Sequence, residues 1–194
     1  LKPSEVPEIR VKSEQRFQEP VSAETHYPVD DENLSGKTHI VLAWLLGRNT
    51  DLKMLFKGHL LTDVLLDTSA SPLRHALEKT DLAAGVSPLC GFEEDHMEMN
   101  FMVGVEGSES RHAQAVETLI LETLARVVEE GVPLERLEAV LHQLELSQRE
   151  IGGDGMPYGL QLIFGCMSAA IHRGDPIALL DIDQVLAELR EEIR

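Results

Sequence analysis

The stretch Lys37–Leu46, KTHIVLAWLL, is an unbroken apolar run in the middle of an otherwise mixed sequence. Turn-forming residues bound it on both sides, with Ser35-Gly36 before it and Gly47-Arg48-Asn49 after it, and this is typical of a β-strand. Alternate side chains of a strand point to opposite faces, and here both sets are largely apolar. We therefore expect this strand in the middle of a sheet, with cover on both faces.

Two capped helices are predicted directly after this strand. The cluster Asn49-Thr50-Asp51 favours a helix N-terminus, and apolar residues at helical spacing extend to about Asp67. Ser71-Pro72 opens a second, shorter helix, because proline at the first turn loses no hydrogen bond. That helix is expected to end at Gly85, with Leu73, Leu77 and Leu82 as its buried stripe.

A strand pair is expected next. Residues 97–106 alternate between an apolar and a more polar set, and Val86–Phe92 is a shorter apolar run. The acidic turn Glu93-Glu94-Asp95 lies between them, so an antiparallel hairpin is the simplest connection. Upstream, Pro20–Val29 is compatible with an outer strand, where prolines are tolerated.

Helical patterns dominate the second half of the chain. Residues 111–130 and 133–151 are amphipathic and are expected to cover one face of the first strand. The run 157–172 is nearly uncharged, so burial is expected for it, and 181–193 forms a last amphipathic helix. Strands and helices in separate blocks predict an α+β fold with a mainly antiparallel sheet covered on one face by helices.

Composition restricts the function. The formal net charge of −17 disfavours nucleic acid, since phosphate contacts need clustered Lys and Arg. No apolar run is long enough to span a membrane, so no membrane association is expected. The two cysteines, Cys90 and Cys166, are far apart and favour a reducing soluble compartment, cytoplasmic or other.

No catalytic or metal-binding motif is present. The eight histidines include no pair at the i, i+4 spacing of HExxH or HxxEH, and GxSxG is absent. The densest polar group is formed by Glu93, Glu94, Asp95, His96 and Glu98. It could act in acid–base chemistry, but a solvated turn is the favoured interpretation. We therefore predict no catalytic residue and no metal ligand in this chain.

Three consecutive pieces of the chain carry a family resemblance, namely the strand KTHIVLAWLLG, the helix DLKMLFKGHLLTDVLL and the Ser-Pro helix SPLRHALEKTDLA. In this order they resemble the second domain of the pitrilysin and insulinase zinc metallopeptidases, peptidase family M16. The presequence protease branch is the most similar. The resemblance covers about residues 17–176, and it implies the LuxS/insulinase-like metallohydrolase type of α+β fold.

This resemblance implies a role within a larger protein. Residues 1–16 would be a linker from the preceding domain, 17–176 a catalytically silent domain, and 177–194 the start of a helical linker. The zinc motif HxxEH would belong to the first domain, which binds the cofactor of the parent protein. The expected partners are the other domains of the same polypeptide and unfolded peptides enclosed in a shared chamber.

The resemblance also implies a binding strand. In the related insulin-degrading enzyme, a strand of the equivalent domain anchors a peptide by strand addition, and the corresponding residues here are Val86, Ser87, Leu89, Cys90 and Gly91. Pro88 departs from the family's glycine-rich pattern and removes one backbone donor.

Two other functions stay open at this point. The chain could be an inactive peptidase-like interaction or assembly module without an attached peptidase, or an independent small enzyme that uses the Glu93–Glu98 cluster. The acidic surplus further predicts that basic peptides bind less well as salt rises. An isolated fragment of this kind is expected to expose apolar surface and self-associate.

Overall fold

The computed structural model describes residues 12–151 and 155–193, and contains a four-stranded sheet and six α-helices in these ranges. The strands are β1 Thr38–Arg48, β2 Gly85–Val86, β3 Gly91–Glu93 and β4 Glu98–Ser108. The helices are α1 Leu52–Leu66, α2 Pro72–Lys79, α3 Ala113–Glu130, α4 Leu134–Arg149, α5 Tyr158–Ile171 and α6 Asp183–Glu192.

The first strand and the two helices after it form near their predicted positions. Asp51 is the N-cap of α1, where its carboxylate accepts from Met54 N at 3.1 Å. Ser71 precedes Pro72 at the start of α2, and its Oγ accepts from Thr68 N at 3.2 Å rather than from the helix. Helix α2 ends at Lys79, earlier than the expected Gly85.

The sheet is antiparallel, and its central strand is β4. Strand β1 pairs with one side of β4 along most of its length, with Leu42 opposite Val103 and Trp44 opposite Phe101. The short strands β2 and β3 both pair with the other side of β4. The predicted hairpin is therefore confirmed, although its first strand is divided into two pieces.

The expectation that the apolar strand lies in the middle of the sheet is wrong. Among the described residues β1 pairs with β4 alone, so it is an edge strand. Its burial is also one-sided, since Ile40 is buried in the core while Ala43 on the opposite face is exposed. An apolar run shows that side chains prefer to leave water, but it does not show which strand lies beside them.

The core consists of two apolar clusters on one face of the sheet. In the first, Ile40, Val103 and Val105 of the sheet pack with helices α1, α2 and α3. In the second, Met99 packs with α1, α4 and α6. Helix α1 contributes to both clusters and so joins the sheet to the outer helices. This is the α+β arrangement, with helices on one face, that the order of elements predicts.

Two helices lie differently from expectation. Helix α4 packs against α1 and α6 rather than as a main cover of β1, because α1 and α3 occupy that face of the strand. Helix α5 is mostly exposed, although its low charge predicted burial. Ala169 is its buried residue, while Ile163 is 58% and Phe164 51% exposed. Within the described residues, most of this apolar helix has no covering layer.

The N-terminal segment 12–37 follows the outer edge of β1 without forming a strand or helix in the described structure. The Arg16 guanidinium donates to the carbonyl oxygens of Leu45 and Leu46, and Tyr27 Oη donates to the carbonyl oxygen of Lys37. The expected outer strand Pro20–Val29 is therefore absent. Side chains, rather than a backbone ladder, hold the segment, and its two prolines could donate no ladder bond.

Candidate functional site

The predicted binding strand lies at the sheet edge opposite β1. Val86 of β2 pairs with Val105, and Gly91 of β3 pairs with Met102. Between them residues 88 and 89 form a turn, and Leu89 is 53% exposed. Among the described residues, β2 and β3 have no strand partner except β4. The five predicted residues therefore lie along one sheet edge whose outer side has no paired strand in the described part.

Ser87 and Cys90 hold this bent edge to β4. Ser87 N donates to Gly104 O at 3.0 Å, and Cys90 N donates to Ser87 O at 3.1 Å. The Cys90 thiol donates to Gly104 O at 3.3 Å and accepts from Gly104 N at 3.1 Å. Burial raises the pKa of this thiol above its ordinary value and outweighs the opposing effect of the backbone hydrogen bonds with Gly104 and Ser87. Cys90 is therefore a structural thiol in the protonated form at neutral pH.

The acidic group around the hairpin turn does not converge on one point. Glu94 Oε2 lies 2.7 Å from His59 Nε2 of α1, on the helical side of the sheet. Glu98 Oε2 instead accepts from Glu14 N at 2.7 Å, beside the N-terminal segment. Glu93, Asp95 and His96 are exposed. This dispersal favours the solvated-turn interpretation over a single acid–base group.

A cleft of about 230 Å³ opens where Glu94 meets helices α1 and α5 and the C-terminal end of α4. Asn49, which lines it and is only 3% exposed, donates from Nδ2 to Ser168 Oγ at 2.8 Å. Ser168 Oγ in turn donates to Glu94 O at 3.2 Å. The cleft combines carboxylates and amides with aromatic and aliphatic side chains.

Sequence reasoning identified Glu94 but missed most of this cleft. Asn49 was recognised only as part of a helix-capping cluster, and His59 and Ser168 carried no motif. Residues 49, 94 and 168 come together through packing of distant segments, so no local spacing could have indicated them. The buried polar position of Asn49 is itself visible only in the folded chain.

The described part of the chain does not fit a metal. It contains no group of three or more His, Cys, Asp and Glu side chains placed to hold a metal ion. The zinc that the resemblance implies for a parent protein therefore has no ligand set among these residues. The described helices also include none that is long and apolar enough to cross a membrane.

Curated relatives are similar to this chain along almost its full length. It is 30% identical over 189 residues to the mitochondrial presequence protease of Xenopus tropicalis, covering 95% of this chain and 18% of that protein. It is 31% identical over 190 residues to presequence protease 1, chloroplastic/mitochondrial, of Arabidopsis thaliana, covering 95% and 17% respectively. The chain thus spans less than a fifth of the length of these relatives.

A solved structure has the same fold. The inactive peptidase domain of a Bordetella parapertussis protein described as a zinc protease superposes with a TM-score of 0.58 at 20% identity, covering 86% of this chain and 82% of that one. The family model described as the peptidase M16 inactive domain matches residues 2–144, which are well over half of the sequence. The chain therefore belongs to the peptidase M16 inactive domain family.

Proposed function

We propose that this chain is the non-catalytic second domain of a zinc-dependent metalloendopeptidase of the presequence protease type. In this proposal zinc is bound by the first domain of the parent protein, and this domain helps to wall the chamber that encloses unfolded peptides. Residues 1–16 and 177–194 connect it to the neighbouring domains. The two free cysteines, Cys90 and Cys166, fit a reducing soluble compartment, cytoplasmic or other.

The observation that carries the proposal is the one-sided sheet. Helices cover the face that holds Ile40 and Val103, whereas Val41 and Ala43 on the other face belong to neither apolar cluster. A partly apolar sheet face that carries no helical layer among the described residues is suited to facing another layer. In the proposed parent peptidase, this face borders the chamber, and partner domains lie on the other side of the chamber.

The edge formed by residues 86–91 adds a second element to the proposal. An extended peptide could add a strand there, because β2 and β3 have no described strand partner on their outer side. Leu89 projects beside this edge with 53% of its surface exposed and would contact the peptide's side chains. We propose Val86, Ser87, Leu89, Cys90 and Gly91 as this secondary binding strand.

The kinetics of peptide cleavage by the parent protease test whether this sheet face forms a wall of the chamber. Glu106 alternates with the buried Val105 on β4, so its carboxylate lies on the face without a helical layer. We expect Glu106→Lys to raise the KM for a basic peptide about fivefold at low salt, and high salt to reduce this difference. Steady-state kinetics with basic and neutral peptides at several ionic strengths measures both effects.

The matched control is Glu129→Lys, which makes the same charge change at an exposed position of α3 on the helical side. It should leave the KM for both peptides nearly unchanged. An equal increase in both variants would mean that net charge alone matters. No increase in either variant would contradict a chamber wall at this face.

The isolated chain is expected to self-associate, because it exposes apolar surface that the parent protein would cover. Ile163 of α5 is 58% exposed, and neighbouring apolar residues extend the patch. Sedimentation velocity over a concentration series should show dimers or larger species, and Ile163→Ser should shift them toward monomer. Val128→Ser, at an 84% exposed position of α3, is the control. A strict monomer at every concentration would contradict this expectation.

A further inference from the structure

We infer that the cleft between α1, the β3–β4 turn and α5 binds a guanidinium group carried on an aliphatic stem, as in an arginine side chain. The inference concerns a site within this chain and goes beyond the chamber role proposed above. It can therefore fail while that role stands.

The first observation is a buried acceptor that has no donor. Asn49 Nδ2 lies 2.8 Å from Ser168 Oγ, and also 3.4 Å from the backbone carbonyl oxygen of Glu94 and 3.5 Å from that of Ser168. Carbonyl oxygens only accept, so the nitrogen end of the amide points toward them. The other end of the amide, Asn49 Oδ1, is buried and has no hydrogen-bond partner. A buried acceptor without a partner costs about 1–3 kcal/mol, so a donor supplied by a ligand or by water would stabilise it.

The second observation is the charge of the lining. Glu94, Asp95 and Glu150 line the cleft, and no Lys or Arg is among the described lining residues. The contact of Glu94 with His59 uses one carboxylate oxygen, and an ionised carboxylate can accept about four hydrogen bonds. The cleft therefore offers acceptors and negative charge, which together suit a cationic donor.

The third observation is the size of the cleft and the chemistry of its surface. A volume of about 230 Å³ is below the usual range of about 300–1,000 Å³ for sites that enclose a drug-sized ligand. It suits a single long side chain. Leu55 and Leu162 offer apolar surface to an aliphatic stem, while Tyr158 and Phe164 offer rings on which a guanidinium stacks better than a strongly hydrated ammonium.

The experiment titrates the isotopically labelled 194-residue chain with Nα-acetyl-arginine amide, at a concentration at which sedimentation shows a monomer, and follows the side-chain amide signals of Asn49 by NMR. We expect these signals to shift and saturate. The matching citrulline compound has a neutral ureido group of similar shape and should bind at least about fivefold more weakly, since it lacks the charge. Free arginine has the same net charge as the blocked form but adds an ammonium and a carboxylate, whose desolvation at the cleft costs free energy, so it should bind more weakly. If blocked arginine binds more tightly than free arginine, the guanidinium that the cleft binds belongs to a peptide side chain. Equal binding would indicate that the same site takes the free amino acid.

Adjacent carboxylates provide the matched variants. Glu94→Gln should weaken binding about fivefold, whereas Glu93→Gln, which lies outside the cleft lining, should leave it unchanged. Asp95→Asn serves as a second test at an exposed position if Glu94→Gln unfolds the chain. The inference is overturned if blocked arginine causes no shift, if citrulline binds equally well, or if Glu93→Gln and Glu94→Gln weaken binding to the same extent.

Discussion

Replacing Gly104 with alanine is expected to destabilise the protein by about 3 kcal/mol or more, because the added methyl carbon has no room. It would lie 2.2 Å from Ile40 O and 2.7 Å from Val41 Cα, both of which are backbone atoms of β1. A flexible side chain could move aside, but a paired strand can move only by breaking its ladder. The Cys90 thiol bonds to Gly104 N and O would be disturbed as well.

Urea unfolding followed by Trp44 fluorescence measures this effect, since the sole tryptophan lies on β1 and contacts Phe101 across the strand pair. The matched control is Gly85→Ala on β2, where an added methyl carbon meets nothing within 4 Å. We expect it to change the free energy of unfolding by less than about 0.5 kcal/mol. Similar losses in both variants would show that strand glycines are sensitive in general and that the close approach of β1 to β4 is not the cause.

Phe56→Ala is expected to cost about 4 kcal/mol of stability, as large-to-small changes at a fully buried aromatic usually do. Phe56 of α1 has no exposed surface and lies in the second apolar cluster, with Leu141 of α4 and Leu186 of α6. The cavity would therefore open between α1 and the outer helices. Hydrogen exchange should increase more in α4 and α6 than in the β1–β4 ladder.

Leu61→Ala is the control for this substitution. It lies on the same helix, but Leu61 is 55% exposed, so little apolar burial is lost. We expect a change below about 1 kcal/mol, with no preferential exchange in α4 or α6. If Phe56→Ala increased exchange equally in both clusters, α1 would have to transmit the defect to the sheet, and the two clusters would not be independent.

Local features of the fold could be predicted because each depends on a few neighbouring residues. The Asp51 cap, the Ser71-Pro72 helix start and the end of α3 before Gly131 are decided by short-range hydrogen bonds and backbone angles. The β3–β4 hairpin follows equally from a short apolar run before the acidic turn and an alternating run after it. The family resemblance was found from the order of these same local motifs.

The errors concern relations between distant segments. The pattern of residues 37–46 indicates an apolar strand, but the position of β1 at the sheet edge depends on where β4 and its other partners pair. The low charge of α5 indicates a surface that avoids water, but the described chain provides no layer to cover most of it. The hydrophobicity of a segment indicates that its side chains favour burial, but only the packing of the other segments decides whether they are buried.

The same division applies to the candidate sites. The sequence by itself determined the acidic balance, the starts of the first two helices and the residues at positions 86–91 and 93–98. Only the tertiary structure decided that Glu94 meets His59, that Glu98 faces the N-terminal segment, and that Asn49 is buried with an unpaired oxygen. Hydrogen-bond satisfaction and charge at a cleft depend on distances between residues far apart in the chain, and such distances exist only after the core has packed.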